Sequence, residues 1–181
     1  MKLIETPLPG VLIVESPVYG DSRGFFTEVF HVEKFRELGL PTAWPQDNHS
    51  RSTRSILRGL HYQLERPQGK LVRAVTGSIF DVVVDVRRSS ATFGQWFGTT
   101  LSAGDGRQLW MPPGFAHGFL VLSESADVSY KCTTVHHASS DRGIAYNDPA
   151  IGIDWPLPNA RPLLSAKDAV APLLAHAEVY P

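Results

Sequence analysis

Four side chains in this sequence, His61, Lys70, Tyr130 and Asp168, can move a proton or hold charge that develops during a reaction. No G-x-G-x-x-G or P-loop run offers a cradle for a nucleotide cofactor. The single cysteine, Cys132, is too little for a thiolate metal site or an internal disulfide. Chemistry built without those parts is acid–base chemistry. Each candidate also has a plainer reading. A lone His or Tyr on a strand is more often a satisfied core residue, Lys70 reads as a surface-strand lysine, and Asp168 reads as part of a helix cap.

The elements that must hold these side chains are mostly strands. Apolar alternation or short apolar runs bounded by turn residues predict strands at Val11 to Glu15, Gly24 to Phe30, Ile56 to Gln63 and Leu71 to Val75. Others follow at Ser78 to Val86, Trp96 to Ser102, Phe119 to Leu122 and Val128 to Thr133. In the run from Ser78, alternation places Phe80, Val82, Val84 and Val86 on one face and Ile79, Asp81, Val83 and Asp85 on the other, which therefore carries carboxylates. Helical patterning is confined to Val32 to Leu38, ended by Gly39, and to roughly Ser165 to Ala175, where Ser165 and Asp168 stand in capping-box positions.

Composition bounds the rest. The 181 residues suit one domain, with a C-terminal helical segment at about 156–181. With 17 Lys and Arg against 18 Asp and Glu, the net charge of −1 gives no field that would draw in nucleic acid or an anionic membrane, so an anionic ligand must be held locally. The 15 glycines and 14 prolines exceed the usual ~12% share and favour turns over long helices. The first residues meet Glu5, Pro7 and Pro9 before any apolar run is long enough for a signal peptide or membrane span, so a soluble cytoplasmic protein is expected. Many short strands without strand–helix alternation predict an all-β antiparallel sandwich or barrel with peripheral helices.

The run Gly106, five residues, Pro112, x, Gly114, two residues, His117 resembles the second half-motif of the cupin jelly rolls. In metal-dependent cupins such a His joins an H-x-H pair and a Glu. Here the corresponding stretch is Gly59-Leu60-His61-Tyr62-Gln63, with Gln63 where a second imidazole would stand, and an amide is a poor replacement ligand. A cupin-like jelly roll without a metal site or other cofactor is the expectation.

The stretches DSRGFFTE, QDNHSRS, LRGLHYQ, QGKLVRAVTGSIFDVVVDVR, LSAGDGRQLWMPPGFAHGFLVLS, YKCTT and IDWP resemble the dTDP-4-dehydrorhamnose 3,5-epimerase family from about Gly20 to Asp168. The resemblance implies a metal-free cupin, a homodimer with exchanged N-terminal strands, and a dTDP-4-keto-6-deoxy sugar substrate whose C3 and C5 hydrogens lie α to the ketone. It further implies His61 as base, Asp168 as its carboxylate partner, Tyr130 as acid on the opposite face of the ring, and Lys70 at the C4 oxygen. To substrate binding it assigns Arg23, Glu28, Gln46, Asp47, Asn48, Arg58, His117, Asp141 and Lys167. His136 stands where the family commonly has a Tyr stacked on thymine; an imidazole can stack, with less area.

The family places Arg58 and His61 in one pocket, yet their odd separation sends them to opposite faces of a regular strand. A bulge at Gly59 would restore a shared direction. Two other readings stay open on the sequence: a single-carbon epimerase acting on a related keto sugar, and a sugar-binding cupin without catalysis. Joint presence of His61, Tyr130, Lys70 and Asp168 favours an enzyme, because binding alone needs no acid and base pair.

Overall fold

The computed structural model describes residues 1–157 and 161–181. Its strands are β1 (Lys2–Glu5), β2 (Leu12–Glu15), β3 (Val18–Asp21), β4 (Gly24–Thr27), β5 (Gln46–Thr53), β6 (Leu57–Gln63) and β7 (Lys70–Thr76). They continue as β8 (Ser78–Asp85), β9 (Trp96–Ser102), β10 (Arg107–Met111), β11 (Phe115–Val121), β12 (Ser125–Cys132) and β13 (Asp141–Gly143), with helices α1 (Val32–Glu37) and α2 (Ala166–Ala169). One sheet runs β1-β2-β10-β7-β12-β5 and the other β13-β6-β11-β8-β9, all neighbours antiparallel. This is the expected all-β, cupin-like sandwich.

Apolar surface is buried in three layers. Between the sheets, Ile13, Val72, Leu109 and Val128 meet Ile79, Val83, Phe115 and Phe119. Behind the first sheet, Val14, Leu71 and Trp110 pack on Phe35 of α1, Leu40 and Trp44. Behind the second, Leu60, Val82, Val84 and Val86 are covered by Ile144, Ile151, Leu174 and Ala177. The uniformly apolar face of β8 therefore points at the C-terminal segment. Its carboxylate face points into the sandwich, where Asp81 and Asp85 are fully buried.

Several predicted boundaries shift for identifiable reasons. Five strands have no counterpart in the apolar pattern: β1, β3, β5, β10 and β13. In β5 the half-buried and buried positions are Gln46, Asn48, Ser50 and Ser52, so its alternation is polar on polar. Gly39, at φ +72°, ends α1 as anticipated, and Leu40 N–H and Gly39 N–H donate back to Phe35 and Arg36 carbonyls. The second helix is one turn, not the run from Ser165 to Ala175. Pro172 disfavours helical backbone at Ala171, and a separate 3₁₀ turn follows at Leu174–His176.

Among the described residues, strands β3 and β4 pair only with each other. This ribbon leaves Tyr19, Phe25 and Phe26 65%, 60% and 67% exposed.

Candidate active site

A cleft of about 490 Å³ opens between the sheets, walled by Arg58, His61, Lys70, His117, Phe119, Tyr130, Asp168 and apolar neighbours including Leu57 and Leu164. His61, Arg58 and His117 belong to β6 and β11 of one sheet, whereas Tyr130 and Lys70 belong to β12 and β7 of the other. The candidate base and acid therefore stand on opposite walls.

Arg58 and His61 share this cleft because β6 is bulged. Opposite β11, His117 pairs with His61 but Phe119 pairs with Arg58, so three steps on β6 face two on β11. Gly59 sits at φ +118°, and a Cβ there would lie 2.5 Å from Gly118 Cα and 2.6 Å from the His117 carbonyl oxygen. Both the backbone angle and the approach of β11 require glycine. Gly59→Ala is expected to lose about 2–4 kcal/mol of stability through strain and forced displacement of β11, read as a lowered denaturant midpoint. An unchanged midpoint would refute that account.

Asp168 arrives from far along the chain. Ser165 Oγ accepts from the Asp168 backbone N–H at 3.1 Å, so the cap forms through backbone while the carboxylate is free to turn inward. Its Oδ1 lies 2.5 Å from His61 Nε2, and its side chain is 4% exposed against 33% for His61. Burial works to raise the Asp168 pKa, but the His61 hydrogen bond and charge outweigh it and hold the carboxyl below its usual value. An ionised carboxylate only accepts, which puts hydrogen on Nε2 and leaves Nδ1, unpaired among the described residues, to take a proton.

Burial pushes the Tyr130 phenol up, against the pull of Arg58, which keeps its proton in place at neutral pH. Desolvation lowers Lys70, with Cys132, Asp141 and Asp81 acting in the opposite direction. Arg58 Nε donates to Ser52 Oγ at 2.9 Å, leaving much of its guanidinium fork facing the cleft. Ser52 on polar β5 was invisible to hydrophobic patterning.

A smaller adjoining cleft of about 340 Å³ shares His61, Lys70 and Tyr130 and adds Gln46, Asn48, Gln63, His136 and Asp141. Gln63 has a definite job: its side-chain oxygen accepts from His137 N–H at 2.9 Å and its amide donates to the Arg66 carbonyl. Gln46 Oε1 accepts from His136 N–H at 2.6 Å, fixing the exposed His136 at the cleft margin. Four other assigned residues line neither cleft in this chain. Arg23 pairs with Asp21 on the β3–β4 ribbon, Glu28 with Lys34, Asp47 with Lys131, and Lys167 with Asp141. Among the described residues no cluster of three or more His, Cys, Asp or Glu side chains could hold a metal ion.

A jelly roll with a carboxylate-backed histidine facing a phenol, and a lysine beside them, has the groups that an acid–base isomerase needs. The sequence profile described as dTDP-4-dehydrorhamnose 3,5-epimerase matches residues 5–176, and the chain belongs to that family. It is 54% identical over 179 residues to the dTDP-4-dehydrorhamnose 3,5-epimerase of Salmonella typhimurium, covering 98% of this chain and 97% of that one. It is 52% identical to the Pseudomonas aeruginosa enzyme over the whole of both. Among solved structures, the 3,5-epimerase of Legionella pneumophila in complex with dTDP-4-keto-L-rhamnose superposes with a TM-score of 0.93 at 50% identity, over 97% of this chain and 93% of that one.

Proposed function

We propose that this chain converts dTDP-4-dehydro-6-deoxy-D-glucose to dTDP-4-dehydro-L-rhamnose by inverting C3 and C5 without a cofactor, in dTDP-L-rhamnose synthesis. The observation that carries the reading is the placement of His61 and Tyr130 on opposite sheets across one cleft. His61 Nδ1 removes the α-proton, and the C–H electron pair enters the enolate, whose charge settles on the C4 oxygen. Lys70 supports that charge, a kind of stabilisation often worth a few kcal/mol. Tyr130 then gives its proton to the carbon from the other face. Solvent restores both groups before the second centre reacts.

Turnover in D₂O tests this. Deuterium at both C3 and C5 supports the reading, deuterium at one carbon supports a single-carbon epimerase, and none leaves a binding protein. Prior treatment with EDTA is expected to leave the rate unchanged, because the ring nitrogens nearest the carboxylates, His61 Nε2 and His117 Nε2, are already committed to Asp168 and Asp81. A rate lost to chelator and restored by a divalent ion would contradict it.

The protein also acts as a homodimer with exchanged N-terminal strands. The exposed aromatics of β3 and β4 support this, as does the absence of Arg23 and Glu28 from the lining of the two clefts that hold His61: exchange would carry them to a partner's nucleotide. Asp47 and Lys167, next in sequence to the cleft-lining Gln46 and Asp168, keep the substrate-binding roles that the family resemblance implies. The whole chain is one domain, its C-terminal segment serving to bring Asp168 to His61. We place it in the cytoplasm, in keeping with one buried free cysteine; no helix among the described residues is long and apolar enough to cross a membrane.

A further inference from the structure

Two histidines face the larger cleft, and the proposed reaction uses one of them. His117 pairs directly with His61 across the β6–β11 ladder, yet its surroundings differ. It is 6% exposed, and its Nε2 lies 2.8 Å from Oδ1 of Asp81 on β8, which is wholly buried. An ionised carboxylate only accepts, so Nε2 carries the hydrogen. Burial, assisted by nearby Lys70 and His61, outweighs the attraction of Asp81 and lowers the His117 pKa, which leaves the ring neutral. In that tautomer Nδ1 holds a lone pair. Nδ1 has no hydrogen-bond partner among the described residues and is not sealed from the cleft that His117 lines.

Chemistry then limits what can meet it. The oxygens of an ionised diphosphate are acceptors and cannot bond to an acceptor nitrogen, whereas a sugar hydroxyl can donate to it. We propose that Asp81 is a positioning residue that locks His117 in the Nε2–H tautomer, so that His117 Nδ1 accepts from a hydroxyl of the hexose and does not serve the diphosphate. This rests on the sugar-nucleotide reading above. Stability does not account for Asp81: its Oδ2 is buried with no partner among the described residues, an arrangement that costs folding free energy.

Asp81→Asn removes the obligatory acceptor, because the new amide can donate to Nε2 and turn Nδ1 into a donor. Titration calorimetry with dTDP-glucose and with dTDP alone separates the two ligand parts. The variant is expected to bind dTDP-glucose about tenfold more weakly, the size of one lost hydrogen bond, with dTDP affinity unchanged. Equal weakening for both ligands, or no change for either, would overturn the proposal. Should the variant fail to fold, ¹⁵N spectra of the wild-type imidazoles decide. They are expected to show His117 protonated at Nε2 and bare at Nδ1, and an Nδ1–H or imidazolium signal would overturn it. Wild-type deuterium uptake is an independent readout: an active exchanger with the wrong His117 tautomer refutes this inference alone.

Discussion

His61→Ala is expected to stop deuterium uptake at C3 and C5 together, lowering turnover by about 10²–10⁴-fold, the usual contribution of a positioned general base. Both carbons depend on it because β6 supplies one carboxylate-backed imidazole with a half-open ring, and both hydrogens are α to the same ketone. The competitor is His117, which also has a carboxylate at Nε2. A base must become an imidazolium in mid-reaction, and His117 would do so while 6% exposed and beside Lys70. Burying that extra charge costs several kcal/mol. His61, 33% exposed and paired to Asp168, accepts the same proton at far lower cost. Near-normal turnover in His61→Ala would move the base to His117, and loss at only one carbon would require a second base. Binding of dTDP alone should be unchanged, since the lost ring meets the sugar.

How much of this could be read from the chain depended on whether the signal was local. β8 was legible because its alternation is unbroken, and parity placed Asp81 opposite Val82. Which face turned inward was not legible, because both faces of β8 are covered and apolar patterning has no contrast between a sandwich interior and a clasping C-terminal segment. β5 escaped for the reverse reason. It contributes to the cleft and to the Arg58 contact, so the residues that alternation would require to be apolar are Gln46, Asn48, Ser50 and Ser52. The bulge at Gly59 could be anticipated, since a parity conflict between Arg58 and His61 has few local remedies. The His61–Asp168 contact could not be derived from pattern: the residues are 107 positions apart, and their pairing depends on the C-terminal segment crossing the second sheet. Only the family resemblance joined them beforehand. Gln63 was read for what it lacks as a ligand. In the structure it ties down the loop at His136 and His137.

Tyr130→Phe is expected to separate exchange from inversion. The ring of Tyr130 packs against the inter-sheet core, so phenylalanine fills nearly the same space and the fold should persist. What disappears is the hydroxyl, held as a proton donor by the burial that raises its pKa. His61 can still take the α-proton, trade it with solvent through the open cleft and return deuterium to the face it left. Deuterium uptake should therefore continue within about tenfold of the native rate, while inverted product falls by about 10²–10⁴-fold, as for loss of a general acid. Comparing ²H content with product formation by NMR in one sample measures both. Equal loss of exchange and inversion would show that the phenol is needed to form the enolate, and inversion at a native rate would show that another donor reaches the far face. Lys70 on the same sheet as Tyr130 and Arg58 on the facing one are its charged neighbours, but a guanidinium does not give up its proton in protein and the proposed mechanism gives Lys70 the C4 oxygen. On the proposed mechanism the opposed sheets leave the phenol of β12 to complete inversion, and retained exchange in Tyr130→Phe is the result expected from it.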